Sequence, residues 1–62
     1  MYEKFLQLLT RNNVTAYRVG KETEISSVVF SDWKKGKSKP KIDKLKKIAK
    51  YFDVPIEYFL ED

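Results

Sequence analysis

An all-α fold of five short helices is predicted for this chain, and three observations predict it. Apolar residues return at three- and four-residue steps in successive segments. Asn, Thr, Ser, Gly and Pro fall between those segments where helices start and stop. No segment alternates apolar and polar residues over strand length with turn residues at both ends. With 62 residues there is material for one domain, spanning 1–62, and for one core.

The first helix runs from Tyr2 to about Asn12, with Tyr2, Phe5, Leu6, Leu9 and Asn12 as its stripe and Leu8 widening it. Asn12-Asn13 ends it, since asparagine tolerates the left-handed conformation. Thr15 caps a second helix reaching about Thr23, in which Ala16, Val19, Gly20 and Thr23 share a face. Gly20 costs about 1 kcal/mol inside a helix relative to alanine, so a neighbouring helix is expected to approach closely there. Ser26 caps a third helix ending near Lys35, with Gly36 in the position of a C-terminal cap. Gly36-Lys37-Ser38-Lys39-Pro40 is a loop. A fourth helix runs from about Ile42 to Phe52, on a stripe of Ile42, Leu45, Ile48, Ala49 and Phe52. Pro55 is expected at the first position of a short fifth helix carrying Ile56, Phe59 and Leu60, with Glu57 in its first turn.

Composition narrows the function. Cysteine and histidine are both absent, which removes disulfides and the usual zinc ligands, so neither metal nor cofactor is expected. No glycine-rich phosphate loop and no convergent carboxylate pair is legible, so the chain is not expected to be an enzyme. No apolar run approaches the ~20 residues of a membrane span, and the start lacks a signal-peptide layout; a soluble cytoplasmic protein is expected. The formal net charge of +4 is unevenly spread. Residues 1–33 are neutral overall, residues 34–50 hold nine lysines against Asp43, and residues 51–62 hold only Asp53, Glu57, Glu61 and Asp62. A basic band on a small domain is either a nucleic-acid footprint or a solvated lysine face.

The second and third helices are separated only by Glu24-Ile25-Ser26, which forces a sharp angle between them. That is the helix-turn-helix arrangement, whose second helix can enter a major groove. The third helix is two-sided: Val29, Phe30 and Trp33 cluster with Ile25 on one side, and Ser27, Val28, Ser31, Asp32 and Lys35 on the other. The outward set is small or short, so the helix fits a groove ~12 Å wide. Serine can bond a base edge, Val28 can meet a thymine methyl, and Lys35 can reach guanine or a phosphate. Asp32 can accept from cytosine N4 or pair with Lys35 three residues on. Trp33 belongs with the core. Tyr17 and Arg18 face outward, Tyr17 either as a phosphate donor or as packing beside the third helix, and Tyr51 and Tyr58 are either surface or a dimer contact.

Thr15-Ala16-Tyr17-Arg18-Val19-Gly20-Lys21-Glu22-Thr23, Ile25-Ser26, Ser31 to Pro40 and Leu45 to Leu60, in that order, resemble the Cro/phage-repressor (xenobiotic-response-element) type of helix-turn-helix domain, from roughly Phe5 to Leu60. The resemblance implies a compact five-helix, repressor-like DNA-binding domain, operator duplex as partner, and a two-fold homodimer on DNA. It places base-reading positions at Ser27, Val28 and Asp32, with Ser26 and Ser31 nearby. It places phosphate contacts at Thr15, Ala16 and Tyr17 and around Lys35, Lys37 and Lys39. Taken with the two-sided third helix, the expected function is sequence-specific DNA binding by a transcriptional regulator, a repressor. Ser27, Val28, Ser31 and Asp32 discriminate bases, and Thr15, Ala16, Tyr17, Ser26, Lys35, Lys37 and Lys39, within a clamp spanning Lys34–Lys39, hold phosphates. The alternative is an interaction module of the antitoxin or anti-repressor kind, which Asp32 and the acidic tail favour and the exit lysines oppose.

Three positions depart from the family pattern. Leu9 and Lys34 stand where many relatives carry an Arg–Glu pair, and an apolar contact is expected instead. Glu24 stands where many have glycine, so a locally different turn is expected. Ser27 and Val28 replace frequent glutamines, so an operator sequence is not inherited.

Overall fold

The computed structural model describes residues 1–60; Glu61 and Asp62, half of the acidic tail, lie outside the described residues. Five helices follow one another: α1 (Tyr2–Asn12), α2 (Ala16–Thr23), α3 (Ser27–Lys35), α4 (Ile42–Tyr51) and α5 (Glu57–Leu60). Among the described residues there is no strand, and no helix is long and apolar enough to cross a membrane.

Local chemistry sets the helix starts. The Thr15 hydroxyl accepts from the Arg18 N–H at 3.2 Å, and the Ser26 hydroxyl accepts from the Val28 N–H at 3.2 Å. Each hydroxyl thereby satisfies one of the amides that a first helical turn leaves without a partner. The stops are equally local. α1 to α4 are all followed by a left-handed residue: Asn13 (φ 53°), Glu24 (φ 61°), Gly36 (φ 77°) and Asp53 (φ 59°). After α3, the Lys37 N–H reaches the Asp32 carbonyl at 2.9 Å and the Gly36 N–H reaches Trp33 at 3.1 Å, the double bond of a Schellman cap.

Glu24 corrects the expectation of a different turn. It adopts the left-handed conformation that glycine would, and the Ile25 N–H bonds the Gly20 carbonyl at 2.9 Å. The backbone of the helix-turn-helix is kept, at the cost of a β-carbon in a crowded conformation.

The helices close around an aromatic centre. Phe5 is fully buried, with its ring centroid 5.3 Å from Phe30 and 5.1 Å from Trp33, both stacked. Val19, Ile25, Leu45, Ile48, Ala49 and Phe59 complete the buried set with Leu8. α2 packs on both α3 and α4, while α5 packs on α1 and α4. Gly20 explains how α2 and α3 come so near. A β-carbon there would lie 2.9 Å from the Ile25 carbonyl oxygen and 3.2 Å from Phe30 Cε2.

Several apolar assignments need correction. Leu6 and Asn12 are exposed, so the inward stripe of α1 is Tyr2, Phe5, Leu8 and Leu9. Ile42 and Leu60 are exposed, and Phe52 is the cap of α4 instead of its last residue. Pro55 precedes α5 by one residue, Ile56. Its carbonyl accepts from the Tyr58 N–H at 3.0 Å, so it feeds the helix from outside.

Candidate nucleic-acid interface

α3 is anchored by Phe30 and Trp33, with Ile25 buried just before it. With about 3.6 residues per turn, that anchorage turns Ser27, Val28, Ser31 and Lys35 outward together. All four are exposed, Val28 at 62% of its possible surface, with no apolar partner to explain it. Asp32 sits at the edge of this face and is half-buried. It forms no ion pair with Lys35, so the surface-partner reading of Asp32 is not realised; its backbone carbonyl instead receives the loop amides of the α3 cap. Trp33, 5% exposed and edge-on to Tyr2 at 5.5 Å, is a core residue as expected.

The start of α2 lies beside this face. Ala16, Tyr17, Ser27 and Ser31 line one groove of about 570 Å³ between α2 and α3, together with Lys34. The amides of Ala16 and Tyr17 open α2 and lack carbonyl partners four residues back, so they are available to an anion. The Thr15 and Ser26 hydroxyls accept from their own helices and keep their protons for an outside acceptor. Tyr17 is 71% exposed.

The exit of α3 forms a second cleft. Lys34, Lys35, Lys37 and Lys39 line it opposite Met1, Tyr2 and Glu3. Between Lys34 and Lys50, no lysine forms an ion pair with a described residue. The expected phosphate positions on this loop are thus brought together and left electrostatically open. Val28, Asp32, Thr15 and Ser26 line neither depression.

Two charged side chains of α2 are paired with each other. Arg18 pairs with Glu22 at 3.5 Å along α2. The Glu22 carboxyl is held below the usual carboxylate range, first because the Tyr51 hydroxyl donates to it and then through Arg18. The same bond pushes the Tyr51 hydroxyl up. Tyr51 therefore serves within the fold, and Tyr58 lies under the Lys4 ammonium at 5.7 Å. Two groove residues, Lys21 and Tyr2, were not expected in this region. The available sign was the spacing of Tyr17 and Lys21, one helical turn apart.

A two-helix unit with a short turn, an anchored second helix, small exposed residues on it and unpaired lysines at its end define a helix-turn-helix domain of the DNA-binding class. Comparison with known families agrees: the helix-turn-helix family model matches residues 6–59. The chain belongs to the Cro/C1-type helix-turn-helix family. It is similar to the HTH-type transcriptional activator BcrR of Enterococcus faecalis, 36% identical over 58 residues. The match covers 94% of this chain and 28% of that relative's length. No solved structure matches the chain. No cluster of acidic residues among the described residues is arranged to hold a metal ion.

Proposed function

We propose that the chain binds double-stranded DNA in a sequence-specific manner and regulates transcription by doing so. α3 lies in the major groove, where Ser27, Val28, Ser31 and Asp32 read base edges. Thr15, Ala16, Tyr17 and Ser26 hold the backbone on one side, and Lys35, Lys37 and Lys39 hold it on the other. Phosphate contacts supply register and much of the affinity, while the α3 face sets the sequence preference. The observation that carries this reading is the exposed α3 face, with Val28 at its centre and a lysine band without ion pairs at its end.

Two copies are proposed to bind a two-fold site, with half-sites about 34 Å apart. Whether the outcome is repression or activation follows from where such a site lies relative to a promoter. The test is a titration of random-sequence duplex at rising salt. For a dimer neutralising about six phosphates, log K falls with log salt at a slope of about −5, and a monomer gives about half that. Absence of salt-sensitive binding would overturn the reading in favour of an interaction module.

A further inference from the structure

We propose that the groove between α2 and α3 seats one strand of the sugar–phosphate backbone, with Lys21 as a phosphate ligand on its α2 rim. This rests on the DNA-binding reading above and adds a contact to it.

Three observations converge on Lys21. It lines the groove of about 570 Å³ on the α2 side, opposite Ser27, Ser31 and Lys34 of α3. Those three recur at positions i, i+4 and i+7, so the groove runs along the flank of the base-reading face. A duplex seated on that face covers the groove. Lys21 also forms no ion pair with a described residue, although Glu22 and Glu24 are close in sequence. Finally, its ammonium lies over the Tyr17 ring, 5.5 Å from the centroid. That contact holds a long, flexible side chain beside the exposed tyrosine at the start of α2. An ammonium is thus held over an exposed tyrosine ring, and both side chains carry donors suited to the oxygens of a phosphate.

The groove floor fits the rest of a nucleotide strand. Ile25 and Phe30 are buried beneath it, and Gly20 lets α2 close onto both of them. An apolar floor between two cationic rims, Lys21 and Lys34, matches deoxyribose carbons flanked by phosphates. Tyr2 closes one end, its ring fixed edge-on against Trp33.

The experiment is fluorescence anisotropy with a labelled random-sequence duplex at several salt concentrations. It compares the wild-type chain with Lys21→Gln, Lys21→Arg and, as a distant control, Lys46→Gln on α4. Thermal melts confirm that the exposed substitutions fold. The expected result is a salt slope shallower by about 0.9 per bound protomer, about 1.8 for a dimer, for Lys21→Gln, regained in Lys21→Arg, with the wild-type slope retained in Lys46→Gln. A Lys21→Gln slope equal to that of wild type or of the control overturns this assignment while leaving the DNA-binding reading intact. A change of sequence preference without a change of slope overturns the phosphate role. A wild-type chain that binds no duplex overturns both.

Discussion

The Tyr51 hydroxyl donates a hydrogen bond to the Glu22 carboxylate and so fastens α4 to α2 across 29 positions of sequence. α2 is the helix whose start is proposed to grip the backbone, so this bond braces the interface from behind. Its dependence on pH follows from the two shifts. The lowered Glu22 carboxyl contributes stability above the ordinary glutamate range, and that contribution is lost as pH falls through the lowered value. The raised Tyr51 hydroxyl contributes below the ordinary tyrosine range and is lost as pH rises through the raised value. We therefore expect Glu22→Gln to melt below wild type at neutral pH, with the gap closing as the solution is acidified. A gap constant from pH 7 to 3 would contradict the pairing.

Glu24 is the place where the chain departs from the simplest turn. With φ 61° and ψ 37° it holds a side chain in a conformation that disfavours one by roughly 1–2 kcal/mol. Glu24→Gly relieves this but loosens the unfolded chain, so a net gain of about 0.5–1 kcal/mol is expected. For a domain of this size that raises the melting temperature by several degrees.

Gly20→Ala runs the opposite way. Alanine favours helix, yet its β-carbon would meet the Ile25 carbonyl at 2.9 Å, and backbone cannot yield as a side chain does. A loss of about 1–3 kcal/mol is expected in chemical denaturation, despite the better propensity.

These two positions show how far the residues alone could be read. Caps were legible because they are local: Thr15, Ser26 and Gly36 act within their own turns. Gly20 was legible as a close approach because a mid-helix glycine has few other reasons. The face of α1 was not, since Leu6, Leu8 and Leu9 are equally apolar and only the placement of Phe5 against Phe30 and Trp33 decides which turn inward. Ile42 read as core by periodicity, yet it starts α4 beyond the reach of the central cluster. For the site, the outward set of α3 followed from its period. The groove with Lys21 and Tyr2 depends on how α1, α2 and α3 meet, which no single helix encodes.

Val28 and Trp33 separate binding from folding. Val28→Glu places a carboxylate on an exposed surface, so melting should be nearly unchanged while duplex binding is lost in a gel-shift titration. Trp33→Ala empties a buried site and should cost about 3–5 kcal/mol, enough to unfold a chain this small. Equal effects of the two on stability would place Val28 in the core.

Lys37 is exposed on the loop after α3, and its backbone amide is already used by the helix cap. Lys37→Ala should therefore weaken all duplexes alike and make the salt slope shallower by about 0.9 per bound protomer, with folding intact. A shift in base preference would instead move Lys37 among the reading residues.

Selection of bound duplexes from a random pool, run in parallel with wild type and Val28→Ala, tests base reading by α3 most directly. The expected outcome is a two-part consensus with half-sites about 34 Å apart, altered in the variant at the same position of each half-site. Enrichment of no consensus, or one identical in both proteins, would contradict it.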